Sequence, residues 1–79
     1  MPDEDRLSVG RRIALARELL GLTQGALAAK VHVTQPAVSQ WERGRTLPSR
    51  HMQHSLADAL RTSRSLLFRE VVRHEEAAA

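Results

Sequence analysis

TQGALAAKVHVTQPAVSQWERG, residues 23–44, reads as two short helices joined by a tight connection at Val31-His32-Val33. Thr23 is an N-cap residue type, and Leu27, Ala28 and Val31 follow at the spacings of one helical face. Thr34 offers a second cap. Pro36 stands inside the first turn after it, where a missing N–H costs nothing. Val38 and Trp41 then point one way, while Gln35, Ser39, Gln40 and Arg43 form a polar row elsewhere. A helix made only for burial has no need of two glutamines beside an arginine on one face. Gly44 marks the C-terminal stop. His32 is the awkward residue, because a turn this tight often needs positive φ, which Gly supplies freely and His only occasionally.

Working outward, Ser8 can cap a first helix running to about Leu20, with Val9, Ile13, Ala16 and Leu20 as its apolar stripe and Gly21 as its stop. Residues 1–6 are charged and expected to fray. After residue 44, Pro48 ends any helix and Ser49 can cap the next, from about Arg50 to Leu60, on which Met52, Leu56 and Leu60 repeat every four residues. A fifth helix starts at Thr62 or Ser63. Leu66, Leu67, Phe68, Val71 and Val72 cover more than one of its faces, so the surplus either meets the body of the protein or awaits a partner chain. The tail from His74 to Ala79 is expected to be disordered. Five helices with short connections and no strand signal predict an all-α, compact single domain over residues 1–79, with its core in 9–72.

Composition bounds the function. Seventy-nine residues make one small domain with a marginal core, and aromatics are only 3%, so Leu, Val, Ile and Ala must fill it. With no cysteine there is neither a disulfide nor a thiolate metal site. No run approaches the roughly 20 apolar residues of a membrane span, and the acidic start MPDEDR is no signal peptide, which fits a cytoplasmic protein. Net charge is +3, but residues 11–64 hold nine basic side chains against three acidic ones, with acidic residues at both ends. A basic middle suits a nucleic-acid face. It also suits an ordinary solvated surface, and eleven of the twelve basic residues being Arg points to codon bias as much as to phosphate forks. His51 and His54 can share a helix face but have no evident third ligand, so they read as a surface pair rather than a metal site. Paired carboxylates, a Gly-rich phosphate loop and a nucleophile motif are all lacking, and neither an enzyme nor a cofactor is expected. Residues 23–42 are therefore read as a helix-turn-helix that presents its second helix, 34–43, to DNA.

L-T-Q-x-x-L-A at 22–28 followed by V-T-Q-x-x-V-S-x-W-E-x-G at 33–44 resembles the phage repressor and Cro-like, or XRE-like, helix-turn-helix family. L-P-S at 47–49, L-A-D-A-L at 56–60 and the Leu66–Phe68 cluster extend the likeness to residues 9–68. The resemblance implies a lambda-repressor-like five-helix fold and a dimeric repressor bound to double-stranded operator DNA. It implies that Gln24 touches phosphate and braces Gln35. It places Thr34, Gln35, Pro36, Ala37, Ser39 and Gln40 in the major groove, where Gln can pair with adenine. Arg43 and Arg45 would grip phosphate, which positions without specifying. Arg17 and Glu42 match a partly buried ion pair that ties the first helix to the third. His32 departs from the Gly usual at that turn. Two-fold dimers read half-sites roughly 34 Å apart, and Leu67, Phe68, Val71 and Val72 would form the interface. The alternatives are an antitoxin, which binds a protein toxin as well as its operator, and a restriction–modification controller protein. With no ligand-binding second domain, regulation is expected through concentration, competition or a protein partner such as an anti-repressor.

Overall fold

Most helix ends in this chain have a reason in the local sequence. A computed structural model describes residues 1–78 as α1 (Asp3–Leu19), α2 (Gln24–Lys30), α3 (Gln35–Glu42), α4 (Arg50–Ala59), α5 (Arg64–Leu67) and α6 (Arg69–Ala78), with no strand among the described residues. The hydroxyls of Thr23, Ser49 and Ser63 accept from Ala26, Met52 and Leu66 N–H, capping α2, α4 and α5. Thr34 occupies the cap position of α3 in extended backbone, yet its hydroxyl makes no cap bond.

Helices α1 to α4 share one way of stopping. In each, two backbone N–H groups just past the end bond back to carbonyls of the last turn, as Gly44 N to Trp41 O and Arg45 N to Gln40 O do for α3. This closure requires a left-handed residue. Gly21 and Gly44 provide it at φ 70° and 72°, while His32 (60°) and Arg61 (57°) adopt the same conformation without glycine's freedom.

The core joins Val9 and Ile13 of α1, Leu27, Ala28 and Val31 of α2, Val38 and Trp41 of α3, and Leu56, Ala57 and Leu60 of α4. Leu67 and Phe68 complete it. Burying each of the larger side chains contributes roughly 1.5–3 kcal/mol. The radius of gyration, 11.7 Å, is close to the ~12 Å of a folded chain this long.

Four expectations are corrected. The first helix starts at Asp3 rather than Ser8: Asp3, Glu4 and Asp5 lie in its first turn, where carboxylates complement the helix dipole, and Pro2 O accepts from Asp5 and Arg6 N–H. Leu20 is not on the buried stripe. It caps the end of α1, where the chain swings toward Gly21, and stays 38% exposed.

The expected fifth helix is two. Phe68 leaves helical geometry (φ −118°, ψ 41°) so that its ring enters the core, and α6 turns from there to lie on α1. α6 then continues through His74 to Ala78 instead of dissolving. The Arg64 guanidinium meets Glu75, and His74 Nε2 lies 3.3 Å from an Asp5 carboxylate oxygen. Ala79, the end of the expected disordered tail, falls outside the described residues.

Candidate nucleic-acid interface

On α3, burial separates two faces. Val38 is fully buried and Trp41 is 9% exposed, while Gln35, Pro36, Gln40 and Arg43 are exposed and Ser39 is half-exposed. These five residues fall on a single stripe of the helix. Thr34 and Arg45 continue it at either end, both exposed. Ala37 does not belong to the stripe: its methyl is half-buried and packs against the core, which leaves little of it to face outward.

Behind the stripe runs a chain of hydrogen bonds. Gln35 Nε2 donates to Gln24 Oε1 at 2.7 Å, and Gln24 Nε2 donates to Glu42 Oε1 at 2.9 Å. Glu42 receives the Arg17 guanidinium through both oxygens, at 2.7 Å from Nε and 3.0 Å from Nη2. Arg17 Nη1 also donates to Leu22 O at 2.8 Å. α1, the loop after it, α2 and both ends of α3 are thereby joined through one carboxylate. The Arg17 and Glu42 side chains are 12% and 7% exposed, and donating to the Glu42 carboxylate raises the Arg17 pKa further. Gln35, an exposed residue, is held in one direction.

Charge is arranged with the same economy. Arg12, Arg17 and Arg64 are engaged with carboxylates, whereas among the described residues Arg43 and Arg45, like Arg11, Arg61, Arg69 and Arg73, have none within 4.0 Å. Two free guanidinium groups therefore stand beside the polar stripe, where an anionic partner would meet them.

The proposed interface residues separate. Leu67 and Phe68, at 1% and 0% exposure, are consumed by the chain's own core and have no surface left for a partner. Val71 packs against that core and Val72 is half-buried. Leu66, part of the same apolar row but not among the interface candidates, is 59% exposed.

Sequence reasoning missed two features that seat these elements. Arg12 donates to both Glu70 oxygens, each at 2.9 Å, and to Leu67 O at 2.9 Å, fastening α6 and the end of α5 to α1. That hydrogen bond holds the Glu70 carboxyl below the usual carboxylate range. No local signal marks two residues 58 positions apart. Gly10 was also overlooked. It lies on the Val9–Ile13 face of α1, and a Cβ there would come within 2.5 Å of the Trp41 and Glu42 carbonyl oxygens. A glycine inside an otherwise sound helix was the available sign.

Comparison with known proteins gives a consistent result. The family model described as "Helix-turn-helix domain" matches residues 8–68. Repressor protein C2 of Salmonella phage P22 is 38% identical over 61 residues, 77% of this chain and 28% of that protein. The 26 kDa repressor protein of Escherichia phage HK022 is 34% identical over 68 residues, 81% of this chain and 29% of that one. The chain thus spans less than a third of the length of these relatives. Among solved structures, the P22 c2 repressor in complex with a synthetic operator matches at TM-score 0.73 and 39% identity, covering 75% of this chain and 89% of that one. The restriction-modification controller protein C.AhdI of Aeromonas hydrophila matches at 0.78 and 31%, covering 82% and 98%.

Proposed function

We propose that this chain, which belongs to the helix-turn-helix domain family, is a sequence-specific DNA-binding transcriptional regulator that inserts α3 into the major groove of its operator. The observation that carries the reading is the outward stripe Gln35–Ser39–Gln40, with Gln35 held by Gln24 and the whole backed by the Arg17–Glu42 pair. An amide fixed in direction presents its donor and acceptor to a base edge without losing side-chain entropy on binding. Arg43 and Arg45 supply sequence-independent attraction to phosphate. The P22 relative was captured on an operator, which supports the same partner for this chain. The role is one of binding rather than catalysis, and the reading places it in the cytoplasm of a bacterium, at the nucleoid. No helix among the described residues is long and apolar enough to cross a membrane.

Selection of bound sites from random duplex DNA tests the reading directly and supplies the operator. On the selected site, Gln35→Ala should cost about 1–3 kcal/mol and leave binding to unrelated DNA almost unchanged. Arg43→Ala or Arg45→Ala should weaken all sequences alike and lower the salt slope by about one unit. A chain that enriches no sequence even in dilute salt would overturn the proposal.

We further propose that two copies bind together, each on one half-site. Since Leu67 and Phe68 are internal, Val72 and Leu66 are the apolar side chains of the 66–72 row left to meet a second copy. Sedimentation should find a dimer that Leu66→Asp or Val72→Asp converts to monomer; an unaltered chain that stays monomeric at high concentration would remove the idea. A controller protein of the C.AhdI kind is compatible with the same geometry.

A further inference from the structure

We propose that Gly10 is a positioning residue for α3: the notch left by its missing side chain sets how far the base-facing stripe stands out from the body. This rests on the reading of α3 as the helix that enters DNA. A Cβ at Gly10 would lie 2.5 Å from the Trp41 and Glu42 carbonyl oxygens and 2.8 Å from the Glu42 carbonyl carbon. All three atoms are backbone, so no flexible side chain can give way. The neighbouring contact is built the same way. A Cβ at Gly44 would lie 2.9 Å from Leu7 N and 3.0 Å from Leu7 Cα. α1 and the end of α3 therefore touch backbone to backbone at two points.

Ordinary contact begins at 3.4 Å, so a methyl at residue 10 drives the last turn of α3 away from α1 by about 0.9 Å. That turn carries Glu42, whose carboxylate holds Gln24 and, through it, Gln35. The displacement is passed to both ends of the stripe. A shift of this size takes a 2.9 Å hydrogen bond out of the range in which it retains strength. Glycine is a poor residue for the middle of a helix, and the close seat accounts for its presence in this one.

The test compares Gly10→Ala with Leu60→Ala, a destabilising change at the end of α4, both in the full chain at a temperature where far-UV circular dichroism shows them folded. Trp41 is the sole tryptophan, and its own carbonyl is at the contact, so its fluorescence reports the seat independently of DNA. Gly10→Ala should red-shift Trp41 emission, increase its quenching by acrylamide and weaken binding to the selected site tenfold or more. Affinity for a scrambled duplex should stay within about twofold, because phosphate contacts tolerate the shift. Leu60→Ala should change neither ratio. If Gly10→Ala folds only with trimethylamine N-oxide, all proteins are compared in that osmolyte. The proposal is overturned by unchanged discrimination in Gly10→Ala, by equal losses in the two variants, or by a Gly10→Ala chain that stays unfolded in the osmolyte, since each leaves Gly10 only a part in stability. If the unaltered chain discriminates between no duplexes, the DNA reading fails, and Trp41 fluorescence still decides whether Gly10 seats α3.

Discussion

Glu42→Ala should destabilise the chain by about 3–5 kcal/mol, because it leaves the buried Arg17 guanidinium without its counter-charge. Arg17 would retain only Leu22 O and, at 3.6 Å, the mostly exposed carboxylate of Glu18. Gln24 Nε2 would lose its acceptor as well, freeing Gln24 and then Gln35. A domain of this size has roughly 5–15 kcal/mol in total, so the loss is a large fraction of what holds it together. The melting temperature should fall by more than ~12 °C. A double replacement, Arg17→Met with Glu42→Leu, removes both charges together and should recover most of that stability. It should not recover operator affinity, since nothing then directs Gln24. Thermal melts of the two variants beside operator titrations check both halves. A melting temperature for Glu42→Ala within ~3 °C of the unaltered chain would show that the ion pair contributes little.

The second large effect concerns α6. Arg12→Met should cost about 3 kcal/mol at pH 7, leaving Glu70, whose side chain is 8% exposed, ionised and unpaired, with Leu67 O short of a donor. The cost depends on pH. In the unaltered chain the hydrogen bond from Arg12 holds the Glu70 carboxyl below its ordinary 4.5. The stability this contributes is complete above that value and disappears as pH falls through the lowered folded one. In Arg12→Met burial becomes the largest influence and favours the neutral acid, opposed by the Glu70 backbone N–H and by Arg69, so protonation costs the variant less stability than it costs the parent. Urea melts should therefore show the difference between the two proteins shrinking from pH 7 to pH 4. A difference constant across that range would mean that Glu70 is not the group left stranded.

Elements whose signals are local were legible in the residues alone. Thr23, Ser49 and Ser63 cap as their types suggest, and the conflict seen at His32 is a measurable φ of 60°. What escaped reading depended on distance or on the competition between local preferences. The run Asp3–Glu4–Asp5 looks like a solvated end, yet the same charges favour a helix N-terminus, and the helix prevails because the chain behind it is already fixed on the core. The row from Leu66 to Val72 looked too apolar for one helix, and it is: Phe68 breaks the row to fill the core. The polar stripe of α3 was visible as a period, but the exclusion of Ala37 was not, since one methyl satisfies either side. Gly10 reads only as a local cost until the backbone opposite it is known.

The fastening of α6 makes ionic strength act on this molecule in two places. Only Glu70 of that helix is buried, and its outer half is attached through the partly exposed Glu75 to Arg64 and to the exposed Arg50. Those attachments are screened over a Debye length of about 8–10 Å in ordinary buffers, whereas the sheltered turn at Glu70 is not. In the proposed complex, added salt will release counter-ion-driven attachment to a duplex and, in the same range, loosen the outer turns of α6, halting near residue 70. Amide exchange in α6 should quicken with potassium chloride even when no nucleic acid is present.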